Sequence, residues 1–183
     1  MLNEFKTNFF GGTRSNRFLV NGVIPGGNSV GTPRFTKFHI RSTILPQVMS
    51  TTLTYDHFGR KYFYPGEKQY TSWAVVVLDD TGDKNLWRAF QNWQNNINNN
   101  NTNVSSLINQ ATTYKATDWE IQHLDLNGET VLKKFVLHGC WPAKIGQLTL
   151  NMMSPNTMNS FEVMIMFDYM EILSGTTPIT RRT

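Results

Sequence analysis

Helical periodicity is confined to one segment of the chain, and this restricts what the other residues can form. In the segment from Lys84 to Ile97, apolar side chains recur at steps of four, three and four, which places them on one face of a helix. Those residues are Leu86, Phe90, Trp93 and Ile97. Before them, the β-branched run from Trp73 to Leu78 is too short for a core helix and predicts a buried strand. Asp83, in the polar turn between the two, is the predicted N-cap because its carboxylate can accept a backbone N–H of the first helical turn. We therefore expect one helix against a core of strands.

The length of the chain predicts one folded domain. With 183 residues it can bury a sizeable core, but it is short for two domains. We assign residues 1–173 to the domain, with residues 1–16 as an extended N-terminal arm, and residues 174–183 to a flexible C-terminal tail. We expect neither a membrane span nor secretion through a signal peptide, because no apolar run approaches roughly 18 residues and the first residues lack basic and apolar regions.

Charge and cysteine content narrow the possible functions. The formal net charge is +4: residues 1–91 hold 11 basic and 6 acidic side chains (+5), and residues 92–183 hold 6 and 7 (−1). The basic side chains are dispersed, which favours a solvated surface over a nucleic-acid-binding patch. Cys140 is the single cysteine, so an intrachain disulfide and a cysteine-based metal site are excluded.

Alternating polar and apolar residues from Met49 to Tyr64 predict two long strands folded into a hairpin. Successive side chains of a strand point to opposite faces, so residues two apart share a face. One face would carry Thr52, Thr54 and Asp56, and the other Leu53, Tyr55 and His57. Pro65 and Gly66 are expected to end the hairpin with a turn.

The second half of the chain carries strand and turn signals. Residues 95–103 are almost wholly asparagine, which predicts a surface loop continuing to about Thr113. The pair Asn127-Gly128 predicts a hairpin. A nine-residue strand is predicted from Phe161 to Tyr169, with alternate residues buried. The opposite face carries Met164, Met166 and Met170 among acidic residues, which favours contact with another protein chain.

No arrangement of residues in the sequence supports catalysis. Residues 79–83 resemble the start of a calcium loop but lack the downstream bidentate glutamate, so a turn followed by a helix is preferred. His123 and His138 lie at unequal distances from the Asn127 turn and are therefore out of register for one metal ion. No nucleophile elbow, Walker loop or dinucleotide fingerprint occurs. We predict that the chain is not an enzyme and uses neither a cofactor nor a metal.

Several stretches, taken in order, resemble the tail tube protein of contractile-tailed bacteriophages, a family related to the tube proteins of contractile injection systems. They extend over about residues 17–172, and they are specific as an ordered set rather than singly. The stretches are Leu45-Pro46; Phe58-Gly59-Arg60-Lys61 with Pro65-Gly66; the Trp73 strand leading into Asp79-Asp80; the helix with Trp87, Phe90 and Trp93; Leu124-Asp125 with Asn127-Gly128; Gly139-Cys140-Trp141-Pro142 with Ile145-Gly146; and Phe161 to Tyr169. The loop at residues 22–33, the asparagine tract and the segment beyond Leu173 look like additions.

The resemblance implies a mainly β fold: an antiparallel β-sandwich, nearly a barrel, with one flanking α-helix, as in tail-tube and Hcp-like proteins. It implies a structural subunit whose hexameric rings stack into a hollow tube inside the contractile sheath, which conducts double-stranded DNA into the host. The implied partners are further copies of the chain, the tail sheath protein, baseplate and tail-terminator proteins and the tape measure protein, with DNA in transit but not specifically bound. The implied location is the virion, after assembly in the host cytoplasm.

Physical arguments assign candidate roles within such a tube. Long strands joined edge to edge around a ring would form one large barrel and remove exposed edges. The hairpin is the first candidate for the lumen wall, with Thr52, Thr54 and Asp56 facing the bore, and the segment 161–170 is the second. Each cation bound to phosphate adds affinity, so sliding DNA requires a bore without unpaired arginine. The candidate contacts between subunits or rings are Phe5, Phe9, Phe10, Arg60, Lys61, Met164, Met166 and Met170.

Three alternatives remain at this point. An initiator or adaptor ring protein would share the fold, although such proteins usually carry extra domains. The chain would also suit the inner tube of a contractile injection system. From another class, a β-sandwich carbohydrate-binding module would use exposed tryptophans, whereas most of Trp73, Trp87, Trp119 and Trp141 lie in patterns that favour the core. Exposed tryptophans with sugar affinity would favour the module, and ring or filament formation would favour the tube.

Overall fold

The computed structural model describes residues 12–25, 39–79, 85–104, 115, 118–153 and 157–174. Within these ranges, ten strands and one helix have defined bounds. In chain order they are β1 (Phe18–Asn21), β2 (Ile40–Ile44), β3 (Val48–His57), β4 (Arg60–Tyr70), β5 (Trp73–Leu78), α1 (Leu86–Ile97), β6 (Trp119–Leu124), β7 (Val131–His138), β8 (Trp141–Ile145), β9 (Ser160–Met166) and β10 (Tyr169–Ser174).

Two antiparallel four-stranded sheets form the body of the fold. The first sheet has the strand order β1-β6-β7-β10 and the second has the order β2-β5-β9-β8. Buried side chains of both sheets belong to one hydrophobic core, so the sheets pack face to face. The predicted antiparallel sandwich with a flanking helix is confirmed. The sheets are open, with β1, β10, β2 and β8 as their edge strands in the described part of the chain.

Tryptophans from both sheets form the centre of the core. Trp73 of β5 and Trp119 of β6 are fully buried, and their ring centroids lie 5.5 Å apart in an edge-to-face arrangement. The indole N–H of Trp73 donates to Thr43 Oγ1 of edge strand β2 at 2.6 Å. Gly22 follows β1 and lies so close to Trp119 that a Cβ there would overlap the indole ring. The core therefore requires glycine at this position.

Helix α1 covers one flank of the sandwich with the face that its periodicity defines. Leu86, Phe90 and Trp93 are buried, and Ile97 is half-buried against the core. The ring of Phe90 meets that of Phe161 in β9 at 6.0 Å, and the ring of Trp93 stacks on that of Trp119 at 6.4 Å. The helix therefore contacts both sheets through aromatic side chains.

The helix cap differs from the prediction. Asn85 is the N-cap, and its Oδ1 accepts the backbone N–H of Arg88 at 2.7 Å. Asp83 was predicted, but the helix begins only at Leu86, and a capping side chain must lie directly before the first helical residue to reach the N–H groups of the first turn. Asp83 itself lies outside the described residues.

The predicted nine-residue strand from Phe161 to Tyr169 is wrong, because the chain changes sheet within it. β9 ends at Met166 in the second sheet, and β10 begins at Tyr169 in the first. At this crossing the backbone N–H of Asp168 donates to the carbonyl of His138 at 2.8 Å. Tyr169 consequently lies on the exposed side of the first sheet instead of continuing the buried face of β9.

Asparagine side chains organise two of the turns. Asn127 Oδ1 accepts the N–H groups of Glu129 and Thr130 in the loop between β6 and β7, which form the predicted hairpin. After α1, Asn99 Oδ1 accepts the N–H groups of residues 101 and 102 on an exposed turn. The expected continuation of this loop through residues 105–113 lies outside the described residues.

Candidate assembly surfaces

The β3–β4 hairpin is a long exposed surface with an apolar character. Its strands pair only with each other in the described part of the chain. At its base the N–H of Thr71 donates to Gln47 O at 3.1 Å, and the N–H of Gln47 donates to Thr71 Oγ1 at 2.9 Å. A lone two-stranded hairpin is marginally stable in water, and a contiguous exposed apolar patch indicates an interaction site. The exposed large apolar side chains are Val48, Met49, Leu53, Tyr55, Phe58, Tyr62, Phe63 and Tyr64.

The strand register gives the hairpin two faces of different chemistry. Directly opposite residues of an antiparallel pair project to the same side. Thr54 lies opposite Phe63 and Asp56 opposite Lys61, which defines the threonine face: Thr52, Thr54, Asp56, Lys61 and Phe63. Leu53 lies opposite Tyr64 and Tyr55 opposite Tyr62, which defines the aromatic face: Leu53, Tyr55, Tyr62 and Tyr64. The three candidate lumen residues therefore share one face, and Arg60 projects to the other with His57.

The predicted turn at Pro65 and Gly66 is wrong, because β4 continues through both residues to Tyr70. The pairing register shifts between Ser50 and Thr52, so that Gly66 and Glu67 of β4 both lie opposite Thr51 and form a β-bulge in β4. A bulge accommodates a proline, which has no N–H to donate to the ladder. A Cβ at Gly66 would overlap Thr51 Oγ1 across the ladder. Proline and glycine here shape the bulge, and the hairpin is longer than the sequence predicted.

The methionines that were predicted to share one face lie on different sheets. Met164 and Met166 are half-buried on the outer side of the second sheet, where Met164 lines a groove of about 580 Å³ with Val76, Lys144 and Glu162. Met170 belongs to β10 and packs against the core. The expectation of a common methionine face therefore fails for Met170, for the same reason that the nine-residue strand fails. Phe5, Phe9 and Phe10 lie outside the described residues.

A second exposed apolar surface, between β8 and β9, was missed in the sequence. Leu150, Met152, Met153 and Met158 are exposed, and Met152 is completely so at 100%; we call these four residues the methionine loop. No charged residue occurs between Lys144 and Glu162. This uncharged stretch with four large apolar residues was the sequence signal for an exposed apolar surface. Its asparagine, serine and proline residues were instead interpreted as an ordinary turn-rich loop.

The methionine loop and the hairpin lie at opposite ends of the second sheet. β5 begins at Trp73, directly after the hairpin, and Trp73 lies opposite Ile165 in the β9 register. The far end of β5, Leu78, lies opposite Ser160, where the methionine loop enters β9. The next residue, Asp79, donates its N–H to Asn159 O at 2.9 Å and so lies beside the loop. A strand of this length separates the two ends by about 20 Å.

The outer side of the first sheet carries ion pairs beside exposed apolar side chains of β10, among them Tyr169 and Leu173. Lys134 Nζ lies 2.6 Å from Glu120 Oε1, and His138 Nδ1 lies 2.6 Å from Asp118 Oδ1. The ring of His138 stacks on that of Tyr169 with centroids 4.3 Å apart. Partly exposed ion pairs of this kind contribute little free energy.

The described residues contain no side-chain cluster suited to metal binding. No group of three or more histidine, cysteine, aspartate or glutamate side chains is placed to hold a metal ion in this part of the chain. Burial raises the pKa of the Cys140 thiol from 9.0 to about 12, so the thiol is protonated and a poor nucleophile. Among the described helices, none is long and apolar enough to cross a membrane.

The tryptophans do not provide a sugar-binding platform. Trp73, Trp93 and Trp119 are fully buried, and Trp87 and Trp141 are half-buried against the core. A carbohydrate-binding module stacks sugar rings on exposed aromatic faces, and the five tryptophans of this chain are all engaged in packing.

Proteins with similar sequences come from phage tails. The chain is 25% identical over 138 residues to the tail tube protein gp19 of Enterobacteria phage T4, which covers 73% of this chain and 80% of that protein. It is 26% identical over 103 residues to the tail tube protein of Serratia phage KSP90, which covers 56% and 55% of the two chains.

Solved structures with the same fold come from an extracellular contractile injection system named PVC. A chain of its sheath-tube complex matches with a TM-score of 0.64 at 16% identity, over 95% of this chain and 98% of that one. A chain of its sheath/tube terminator matches with a TM-score of 0.65 at 18% identity, over 89% and 97%. At these identities the likeness establishes the fold. The sequence profile of the phage tail tube protein family matches residues 13–172, nearly the whole chain. This protein, as its ordered motifs predicted, belongs to the phage tail tube protein family.

Proposed function

We propose that this tail tube subunit forms hexameric rings, and that the rings stack into a hollow tube which conducts double-stranded DNA inside a contractile sheath. The observation that carries the proposal is the β3–β4 hairpin, whose two strands pair only with each other among the described residues and expose eight large apolar side chains. Such a surface is stable in water only when another chain covers it. The four sheet edges that are open in the described part of the chain support the same conclusion, because edge-to-edge pairing around a ring would satisfy their unpaired backbone groups.

The threonine face of the hairpin suits the wall of the bore. Towards its tip it carries hydroxyl groups and one carboxylate, Asp56, with one ammonium group, Lys61, directly opposite; Lys68, opposite Ser50, adds a second ammonium group near the base. At the tip this balance gives DNA little to bind, because phosphate affinity comes from unneutralised cations. Phe63 is the apolar exception on this face. The aromatic face, which also carries Arg60, suits contact with protein, since tyrosine offers a large apolar body with a polar tip.

Assembly is tested by negative-stain electron microscopy of the purified chain over a range of concentrations. We expect rings and tubes with six-fold end views. The variant Tyr55→Ser/Tyr62→Ser should remain folded but fail to assemble, because it removes the centre of the aromatic face. The control Thr52→Ser/Thr54→Ser, on the opposite face, should assemble as the wild type does. A wild-type chain that is monomeric at every concentration would contradict the proposal, as would normal assembly of the tyrosine variant.

The bore assignment has its own test in the phage that uses this chain. The variant Thr52→Lys/Thr54→Lys would place added ammonium groups from every subunit along the DNA path, so ejection should slow while tail length is unchanged. Asn92→Lys adds a cation on the exposed side of α1 and serves as the control. Ejection at the wild-type rate in both variants would show that Thr52 and Thr54 do not face the DNA.

The partners proposed for this chain are those of a tail tube within the virion: the sheath, baseplate and tail-terminator proteins, and a tape measure protein inside the tube during assembly in the host cytoplasm. The structural matches to a sheath-tube complex and to a terminator support the sheath and terminator contacts. Because one fold serves both a tube and its terminator, copy number separates the two roles. Quantitative mass spectrometry of virions should find as many rings of this chain as of the sheath protein, whereas a single ring would favour the initiator or adaptor alternative.

A further inference from the structure

We infer that Met152, Met153 and Met158 of the methionine loop form an oxidation site, at which a peroxide converts the three thioethers to sulfoxides and makes this surface polar. Their side chains are 100%, 89% and 75% exposed. A dissolved oxidant reaches an exposed thioether more readily than a buried one. The reaction needs neither a base nor a metal ion, so exposure by itself makes these side chains reactive.

The other described sulfur atoms are better protected. Met49 in β3 is 44% exposed, and Met164, Met166 and Met170 are half-buried. Cys140 is fully buried, and burial raises the pKa of its thiol to about 12, so the reactive thiolate is scarce at neutral pH. Among the described residues, the methionine loop therefore holds the sulfur atoms that are most open to a dissolved oxidant.

The modification is a two-electron oxidation of sulfur by hydrogen peroxide. The thioether sulfur attacks one peroxide oxygen, the O–O bond breaks and an S–O bond forms. A proton passes to the departing hydroxide, which leaves as water, so sulfur is oxidised as the peroxide is reduced. The product is a polar, chiral sulfoxide that methionine sulfoxide reductases can return to the thioether. Because the loop is exposed, a reductase can reach it as easily as the oxidant does.

The folded structure tolerates the modification. Met152 and Met153 lie outside the core, and the turn that carries them is held by the backbone N–H of Met153, which donates to Asn151 Oδ1 at 2.9 Å. Met158 lines a groove of about 270 Å³ together with Asn151 and Thr157. Amide and hydroxyl groups can donate to a sulfoxide oxygen, whereas a thioether is only a weak acceptor. Oxidation should therefore change the surface and leave the fold intact.

The consequence for assembly rests on the proposed function, in which neighbouring copies cover exposed apolar surfaces. A second copy is the chain expected to cover the methionine loop, because the loop follows β8, an open edge strand in the described part of the chain at which copies would pair. No charged residue lies between Lys144 and Glu162, so the unmodified loop can be covered without burying an ion. A sulfoxide oxygen holds water, and covering it without a donor is unfavourable, so oxidised subunits should assemble about tenfold less well.

Peptide mass spectrometry tests the site, using purified chain exposed to dilute hydrogen peroxide for increasing times. Cleavage after glutamate separates residues 130–162, which contain the three loop methionines, from residues 163–171, which contain the three half-buried ones. In the native protein the first peptide should gain sulfoxide about tenfold faster than the second. In urea the two peptides should react at similar rates, because exposure no longer differs. Equal rates in the native protein would overturn the inference.

Assembly before and after peroxide gives the second readout. The comparison variant Met152→Leu/Met153→Leu/Met158→Leu lacks the sulfur atoms but keeps an apolar loop, and the ratio of assembly with and without peroxide is taken within each protein. Peroxide should reduce assembly of the wild type about tenfold and leave that of the variant unchanged, and a methionine sulfoxide reductase should restore the wild type. An equal loss in both proteins would place the sensitive residue elsewhere, for example at Met49, and would overturn the inference.

The two readouts separate this inference from the proposed function. Oxidised wild type that assembles as well as untreated protein would remove the effect on assembly and leave the proposed function standing. An untreated wild type that forms no rings would contradict the proposed function, and the order of oxidation in the two peptides would still decide whether the methionine loop is the oxidation site.

Discussion

The hydrogen bond from Trp73 to Thr43 joins the edge strand β2 to the core close to the base of the hairpin, and Thr43→Val tests its contribution. Valine has nearly the shape of threonine and is also β-branched, so the substitution removes the acceptor without opening a cavity. The indole N–H of Trp73 would remain fully buried without the partner that now lies at 2.6 Å. An unsatisfied buried donor costs about 1–3 kcal/mol.

The exposure of Thr43 determines where in this range the loss of stability falls. Its side chain is half-exposed at the sheet edge, so water can partly replace the hydroxyl, and we expect a loss of about 1–2 kcal/mol in the free energy of unfolding. At about 1.4 kcal/mol per tenfold change, the unfolding equilibrium constant should rise about 5- to 30-fold. Thr43 Oγ1 also lies 3.4 Å from the Ala74 carbonyl, but a contact of that length contributes little.

Urea denaturation followed by circular dichroism measures the loss, and a double-mutant cycle isolates its cause. In a Trp73→Phe background no indole N–H is left to satisfy, so Thr43→Val should be nearly neutral there. The coupling energy between the two substitutions is then the contribution of the hydrogen bond. Equal losses from Thr43→Val in both backgrounds, with the same urea dependence of unfolding, would refute the reasoning.

Gly22, Asn85 and Cys140 give three further predictions about the stability and reactivity of the protein. Gly22→Ala should lower the free energy of unfolding by about 1–3 kcal/mol because its Cβ would overlap the Trp119 ring; an unchanged melting temperature would contradict that close approach. Asn85→Ala should cost about 0.5–2 kcal/mol through loss of the helix cap, whereas Asn85→Asp keeps an acceptor for the Arg88 N–H; equal urea midpoints for the two variants would be inconsistent with capping. Because burial raises the pKa of Cys140 from 9.0 to about 12, the native thiol should resist alkylation at pH 8, and stability should fall as the pH rises from 9 towards 12, where the unfolded chain loses the proton first. Rapid alkylation of the native protein would disprove the burial of this thiol.

The core was predictable because burial follows periodicity within single elements. The spacing of Leu86, Phe90 and Trp93 defines a helix face, and the β-branched run from Trp73 to Leu78 defines a strand, whatever surrounds them. The structure places both in the shared core. Sheet membership was not predictable in the same way. Residues 161–169 alternate without interruption, but alternation does not specify which sheet a strand joins, and the crossing at Asp168 depends on its backbone bond to His138 in a different strand.

The hairpin was predicted only in part, because its bulge depends on pairing. Proline followed by glycine is a common turn signal, and only the register with Ser50 and Thr52 shows that Pro65 and Gly66 lie within a continuing strand. The two faces of the hairpin followed from alternation alone, since a period of two needs no tertiary information. The methionine loop could not be assigned in this way, because exposure of a loop side chain is a property of the folded surface.

The exposed apolar residues also explain why an isolated subunit and an assembled one are expected to differ in stability. Most apolar side chains in the two four-stranded sheets and the helix are covered by the subunit's own core, apart from edge-strand residues such as Ile44 and Ile172. The aromatic face and the methionine loop have no such cover among the described residues. Binding to the folded form alone stabilises that form by mass action, so the order of the hairpin should increase with subunit concentration. In the proposed tube, neighbouring copies would cover these exposed surfaces, which would make assembly favourable over a free subunit.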